Sequence, residues 1–493
     1  MSVEQISERY HLDTELGRGG MGIVYRARDS LLDRHQAKDC AISLNEVEQV
    51  LAIEEAIGGV EAERGHSILA AEAYERALNL ASTVEKKAQL KSEIGAVYTS
   101  VGDERGLEYL RAALNELDPQ TQLYEIAWST AMMGRNYHYR GQYDQSLEYL
   151  ERARELAEPG GDPVLLSNIY GYLSGSYQHL GRYEDSNQWA CKNIELGEQK
   201  DFPAAVALGH EFLSENAWVQ GNWESSIYHA EINRQLGEKM GAQSRIAWSG
   251  FAKLGAYRGK GDLIAAKSEG WAKLRIAQEI GERRLIVWIK SNLSMNETDM
   301  KEDQSALELA ESAVGLAQDQ GEPALISVSY SALAYYYIQR GEWQAACETF
   351  ESSDVIQSRG QALGLLSIMW VLYAEALLGC GHLHRAGELA ERLISYTRDR
   401  GERFQEALAY RIQGQIFGTQ ENWGQALASC DTAVDLFSQL GSRLDLARAL
   451  FLRSQLNEQR GQGDQSARDL DQALEMFSEI GARRDEEKAR GSG

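Results

Sequence analysis

An all-α solenoid of about eleven helical hairpins is the fold class this sequence predicts, and three observations predict it. A turn residue returns every 40 positions, at Gly141, Gly181, Gly221, Gly261, Lys301, Gly341, Gly381, Glu421 and Gly461, and a second series stands midway, at Gly161, Asp201, Gly241, Gly281, Gly321, Gln361, Gly401, Gly441 and Gly481. In step with them runs a column in which every member is small: Ser146, Ser186, Ser226, Ala266, Ala306, Ala346, Ala386, Ala426 and Ser466. The 493 residues include only 5 prolines, the residue that helix interiors exclude.

Each column has a physical reading. Glycine takes the left-handed conformation that ends the first helix of a pair. The column after it (Tyr143, Tyr183, Trp223, Leu263, Asp303, Trp343, Leu383, Trp423, Gly463) is read as packing back onto that helix. The small column marks the place where two helices cross too closely for a larger side chain. Upstream stand Tyr137, Tyr177, Ala217, Tyr257, Glu297, Tyr337, Leu377, Phe417 and Asn457.

Gly-x-Tyr/Trp-x-x-small, with a tyrosine upstream, resembles the tetratricopeptide repeat, whose usual unit is about 34 residues. The longer unit here is similar to the repeats of large bacterial maltose-activator-like regulators and related signalling ATPases. The resemblance covers roughly 44–481 and implies a right-handed superhelix that acts as a scaffold. It is specific for fold and not for function, because such repeats serve many partners.

Taken in order, residues 1–43 differ in kind. Arg9 to Asp29 holds Gly17-x-Gly19-x-x-Gly22-x-Val24, which resembles the opening of the bacterial serine/threonine kinase domain and its glycine-rich loop over the ATP phosphates. The resemblance makes Gly17, Gly19, Gly22 and Val24 degenerate cofactor-binding residues, with Lys38 as a displaced phosphate-binding lysine. It stops there. His384-Arg385-Ala386 lacks the catalytic-loop Asp, and Asp201-Phe202 is followed by Pro203 rather than Gly. Without those groups there is no phosphoryl-transfer machinery, so the segment reads as a kinase N-lobe stump, frayed or loosely docked, and the chain as no enzyme. No Walker-type loop is present: Gly259-Lys260 is followed by Gly261.

The first repeat helix is read from Leu44, with Asn45 as its cap. Further unit starts fall near 85, 120, 162, 202, 242, 282, 322, 362, 402 and 442. The worst match is Asn296–Asp303, with neither Gly nor aromatic; an early helix end and a polar loop are expected there. The apolar run Leu363–Cys380 contains Glu375 and falls in register, so it is read as a buried helix and not as a membrane span. Residues 482–493 are read as a charged, solvated tail.

The formal net charge of −24 argues against nucleic acid and anionic membranes as partners. The chain shows no secretory leader and is expected in the cytoplasm. Its 5 cysteines have no metal spacing and read as small buried residues. No metal or cofactor is expected.

The first helices should line the concave surface, with Trp128, Arg135, Glu211, Glu215, Trp218, Trp248, Arg258, Tyr335, Glu375 and Arg411 pointing inward. Aromatics and arginines in a groove are what binding hot spots are made of; the competing reading is that Trp128, Trp218 and Trp248 fill space between helices. The family's Lys/Asn chaperone-peptide clamp is absent, since Ala131, Glu211, Phe251, Ser291 and Ser331, with Arg135, Gly175, Glu215 and Gly255, hold its places. The sequence therefore predicts a non-catalytic interaction scaffold of a bacterial signalling or regulatory system that holds a protein or peptide in its groove. The alternatives are a nucleotide-binding, kinase-related protein and a repeat module that senses a small ligand.

Overall fold

A computed structural model describes the backbone of residues 5–7, 10–19 and 22–29, and residues 47–63, 67–100, 103, 105–353 and 367–491. At the N-terminus β1 (Gln5–Ser7), β2 (Tyr10–Gly19) and β3 (Gly22–Asp29) form an antiparallel sheet in that order, with Gly19 opposite Gly22 at the hairpin. Asn45 lies outside the described residues.

Among the described residues 23 helices follow. They are α1 (Val47–Glu63), α2 (Ser67–Leu80), α3 (Val84–Ser100), α4 (Arg105–Glu116), α5 (Leu123–Tyr139), α6 (Tyr143–Ala157), α7 (Pro163–His179), α8 (Tyr183–Gln199), α9 (Pro203–Val219), α10 (Trp223–Met240), α11 (Gln243–Lys260) and α12 (Leu263–Glu279). The series continues with α13 (Arg283–Asp299), α14 (Asp303–Gln320), α15 (Pro323–Arg340), α16 (Trp343–Glu351), α17 (Ser367–Gly379), α18 (Leu383–Asp399), α19 (Arg403–Thr419), α20 (Trp423–Leu440), α21 (Arg443–Gln459), α22 (Gly463–Ile480) and α23 (Arg483–Arg490). Odd-numbered helices up to α21 open the pairs and even-numbered ones close them, so α1–α22 make eleven hairpins.

The turns follow the column. Gly141 has φ 68°, its N–H bonds to His138 O at 2.9 Å, and the next N–H, of Gln142, reaches Tyr137 O at 2.9 Å, which closes the helix end. Asp201, Lys301 and Glu421 keep the same left-handed geometry at φ 50°, 65° and 57° despite their side chains. The small column is buried throughout, with Ala266, Ala306 and Ala426 at 0% exposure. Its serines also bond across the hairpin, as Ser146 Oγ does to Gly134 O at 2.8 Å.

One expectation is extended at the aromatic column. Tyr143 does pack back, edge-on to His138 of its own unit at 5.6 Å, but these rings also reach forward to the first helix of the next unit. Tyr143 stacks on His179 at 4.7 Å, and Trp223 and Trp343 lie on Gly259 and Gly379, where an added Cβ would come within 2.7 and 2.2 Å of the indole. The glycines leave the room that the indoles fill.

Asn296–Asp303 is not a loop. Helix α13 runs to Asp299, and only then does Lys301 turn the chain. Its polar residues are buried and bonded in part: Asn296 Nδ2 bonds to Leu263 O at 3.0 Å, Thr298 Oγ1 to Ser294 O at 2.8 Å, and Glu297 Oε1 accepts from Trp271 Nε1 at 2.7 Å, while Asn296 Oδ1 and Glu297 Oε2 are left without a partner. Nor is the C-terminus a solvated tail. Helix α23 docks back on α13, with Arg484 bonded to Thr298 O and Asp303, and Glu487 to Lys301. No helix among the described residues is long and apolar enough to cross a membrane. Helix α17 carries most of the apolar run and packs Val371, Ala374 and Leu377 into the core. Cys347 and Cys430 are buried as expected, whereas Cys191 is exposed.

The superhelix makes more than one turn, and its turns touch. Tyr183 OH donates to Glu402 Oε1 at 2.9 Å across a separation of 219 residues, about five and a half repeats. The same step sets Gly181 against Arg400, Gly221 against Leu440 and Gly261 against Ile480. This seam has a consequence for pH. Glu402 is fully buried, and burial pushes its carboxyl up to about 7 from an ordinary 4.5. A raised folded-state value means that the contribution is complete below 4.5 and is lost as pH rises through 7. Glu402→Gln is therefore expected to stabilise the chain at pH 8 by up to about 3 kcal/mol, with the gain vanishing toward pH 4.5. Urea unfolding at both pH values reads it.

Candidate functional site

Two inner regions differ in whether the chain fills them itself. In the first, Asp299 of α13 is fully buried and receives Arg258 Nε of α11 at 2.9 Å, Arg448 Nη2 of α21 at 2.7 Å and the Tyr335 hydroxyl of α15. Arg448 also holds Asp485 of α23 through Nε at 3.1 Å and Nη2 at 2.7 Å. Burial alone would raise the Asp299 carboxyl, but Arg258 and Arg448 outweigh it and hold the group below its usual range. This cluster joins helices from both turns and plugs the superhelix at that level.

The second region is open. A cavity of about 440 Å³ is walled by the first helices α5, α7, α9, α11 and α13. At one end, Arg135 of α5 lies over the rings of Tyr139 and Tyr172, at 5.3 and 5.6 Å. No carboxylate pairs with Arg135 among the described residues, and its buried Nε has no hydrogen-bond partner. The two tyrosine hydroxyls are 3.2 Å apart. Burial would raise Tyr139, but Arg135 and Arg284 outweigh it and hold the phenol below its ordinary value. Arg284 itself forks onto Glu322 at 2.7 and 2.9 Å and covers Tyr139 at 4.5 Å.

At the other end two carboxyl groups lie one helical turn apart on α9. Glu211 accepts from Arg245 Nη1 at 2.7 Å. Glu215 is 8% exposed and has no cationic partner among the described residues; burial first, then the neighbouring Glu211, push it up to about 8. It is therefore mostly protonated at neutral pH. His138 and His179 stay neutral as well: burial, with Arg284 adding to it, lowers His179 to about 3 and His138 well below its usual value. Trp248 of α11 forms the side wall. The arrangement offers a guanidinium that meets tyrosines and no ion-paired carboxylate, a carboxyl with no ion-paired cation, and aromatic faces, and so suits binding. Among the described residues no three His, Cys, Asp or Glu side chains gather as a metal site.

Of the ten inward residues read from the sequence, Arg135, Glu211, Glu215 and Trp248 meet in this cavity. Arg258 and Tyr335 belong to the plugged cluster, and Glu375 pairs with Arg411 at 3.1 Å in a buried contact. Trp128 packs on the neighbouring core, and Trp218 stands edge-on to Phe251 at 5.2 Å, filling space between helices. Gly17 and Gly19 fall on β2, and Gly22 and Val24 on β3, with Gly17 opposite Val24; Lys38 lies outside the described residues. Sequence reasoning missed Arg284, Arg245, Tyr139 and Tyr172. A signal existed for the arginines. Both stand in the first turn of their helices, where the helix dipole disfavours a cation, so another interaction must hold them there.

Residues 125–199 match the tetratricopeptide repeat family. No curated protein matches the chain. Among solved structures, the anaphase-promoting complex hetero-tetramer Cut9–Hcn1 is 11% identical at a TM-score of 0.50, over 90% of this chain and 86% of that one. A Rap protein complexed with competence and sporulation factor is 12% identical at 0.44, over 80% and 99%. BtubC from P. vanneervenii is 17% identical at 0.34, over 44% and 90%. The first of these is a likeness of fold.

Proposed function

From the premise that the chain is a solenoid of tetratricopeptide-type repeats, we propose that it is a non-catalytic interaction module of a bacterial signalling or regulatory system, holding a peptide or a segment of a protein partner against its inner face. The observation that carries this reading is the open cavity, lined by Arg135 with its buried Nε unbonded, by Glu215 with no ion-paired cation among the described residues, and by Trp248. A folded chain does not bury such groups without a gain, because each costs desolvation energy that a bound partner can return. The neighbouring plugged cluster supports the choice of site, since there the chain is its own partner. Tetratricopeptide-type repeats are scaffolds, and the aromatic and arginine content of this wall is that of binding hot spots.

The test is partner enrichment with the full chain and with Arg135→Ala/Trp248→Ala in parallel. A specific partner held by the wild type is expected to fall at least tenfold in the double variant, and to be unaffected by Tyr228→Ala on the exposed face of α10. Equal loss from the Tyr228 variant, or none from the cavity variant, would move the function off the inner face.

A further inference from the structure

We propose that Cys347 and Cys380 are a redox pair: hydrogen peroxide converts them to a disulfide that fastens the joint between the eighth and ninth hairpins, and a dithiol opens it again. Neither cysteine lines the inner cavity, so the assignment does not depend on what that cavity holds. Three observations carry it.

The first is proximity across the joint. The two residues are 33 positions apart in sequence, yet their sulfurs lie 3.1 Å apart. A disulfide holds its sulfurs at about 2.0 Å, so about 1 Å of movement closes the bond. Cys347 stands in α16 beside the small-column Ala346, whereas Cys380 follows the last residue of α17, just ahead of the left-handed Gly381 at φ 80°. A helix end yields more readily than a helix middle, so the closing movement falls to Cys380.

The second is asymmetry. Cys347 is 4% exposed, while Cys380 is partly open to solvent. Burial, then the Cys380 sulfur and Glu351, push the Cys347 thiol up, with Arg385 pulling the other way. Cys347 therefore keeps its proton, and the reachable Cys380 is the sulfur that meets the oxidant first. That is the division between an attacking and a resolving cysteine. Two other cysteines are placed differently: Cys430 donates to the Ala449 carbonyl at 3.3 Å, and Cys191 is exposed on α8.

The third is what the joint carries. Trp343 of α16 lies on Gly379, the neighbour of Cys380. Arg385 of α18 bonds to the Tyr373 hydroxyl of α17 at 2.7 Å, and that hydroxyl to Glu351 of α16 at 3.3 Å. A disulfide thus ties α16 to α17 where they already pack. Asp299 lies before this joint in the chain and its partner Arg448 beyond it, so a fastened joint also holds the two turns of the superhelix together.

The chemistry balances. The Cys380 thiolate attacks one oxygen of hydrogen peroxide, the O–O bond breaks, and the hydroxide that leaves takes up the proton Cys380 gave to solvent. The Cys347 sulfur then attacks the sulfenic acid at Cys380. The S–S bond forms, the S–O bond breaks, and the hydroxyl leaves with the Cys347 proton as water. The sulfurs lose two electrons between them, and peroxide gains them in becoming two waters. Thiol–disulfide exchange with a dithiol restores both thiols.

The experiment uses the full chain at micromolar concentration, with hydrogen peroxide in one arm and dithiothreitol in the other. Non-reducing peptide maps and melting curves are read. The expected product is a Cys347–Cys380 peptide pair lighter by two hydrogens, formed at least about tenfold faster than any link through Cys191, because its two thiols share one chain. The melting temperature should rise with it, and dithiothreitol should reverse both. Cys347→Ser should leave Cys380 as a sulfenic acid trapped by dimedone, whereas Cys380→Ser should leave Cys347 reduced and remove the rise. The wild-type map needs neither variant to fold and decides the site by itself. Oxidised Cys191 with Cys347 and Cys380 still reduced, or a Cys347–Cys380 link found only in urea, would overturn the assignment. A native link that leaves the melting temperature unchanged would refute the fastened joint.

Discussion

Arg448→Ala is expected to destabilise the fold by about 3–5 kcal/mol, because it leaves the buried Asp485 without its arginine and Asp299 with Arg258 as its one remaining cation, in the centre of the superhelix. The pair Arg448–Asp299 spans 149 residues of sequence, and each partner is at most 7% exposed. The loss is therefore one of contact between turns, and the two turns should loosen together. Asp299→Asn, which removes one of the two carboxylates that Arg448 holds, should recover part of the loss when combined with Arg448→Ala. Urea midpoints of the wild type, both single variants and the double variant give the coupling. A coupling above about 1 kcal/mol is expected for groups in one network. Additive losses would mean that the cluster does not exist as described.

Trp223→Ala is expected to cost about 3–5 kcal/mol, the range for deleting a buried indole. Trp223 is 2% exposed, rests on Gly259 of the next unit and stands edge-on to Phe404 of the second turn at 5.3 Å. One side chain thus links neighbouring repeats and also the seam. Trp223→Phe should lose less, since a ring remains. Gly259→Val should fail in the wild type, where the added Cβ would meet the indole at 2.7 Å, and should be tolerated better beside Trp223→Leu. Thermal melts read all four. A loss below about 1 kcal/mol for Trp223→Ala would show that the seam is loose.

These two residues also show what the sequence made legible. Trp223 sits in a column that repeats with the turn glycines, so its importance was visible, although its direction was not: period alone cannot say whether a ring folds back or reaches forward. Arg448 was invisible. Its partners lie in segments that read as the least structured, Asn296–Asp303 and the charged C-terminus. Buried polar residues look like loop residues until their partners are known, and the partners here are 37 and 149 residues away. The eleven hairpins were legible because each needs only its neighbours, whereas closure of the superhelix is a property of the sum of small rotations and leaves no local motif. The same division holds at the cavity. Arg135, Glu211, Glu215 and Trp248 stand in the middle and late turns of the inner helices and were readable from register. Arg284 and Arg245 stand at helix starts, outside the columns that carry the period.

Contact between the turns is the claim from which both the plugged cluster and the choice of cavity follow. Zero-length carbodiimide coupling of the native chain, with the joined peptides identified by mass, tests it most directly. Lys301 and Glu487 are ion-paired across 186 residues, while Lys267 and Glu302 offer a pair within one turn as a control. A Lys301–Glu487 link that is lost in Lys301→Arg is the expected result. Recovery of Lys267–Glu302 without any Lys301–Glu487 product would mean an open superhelix and contradict the account.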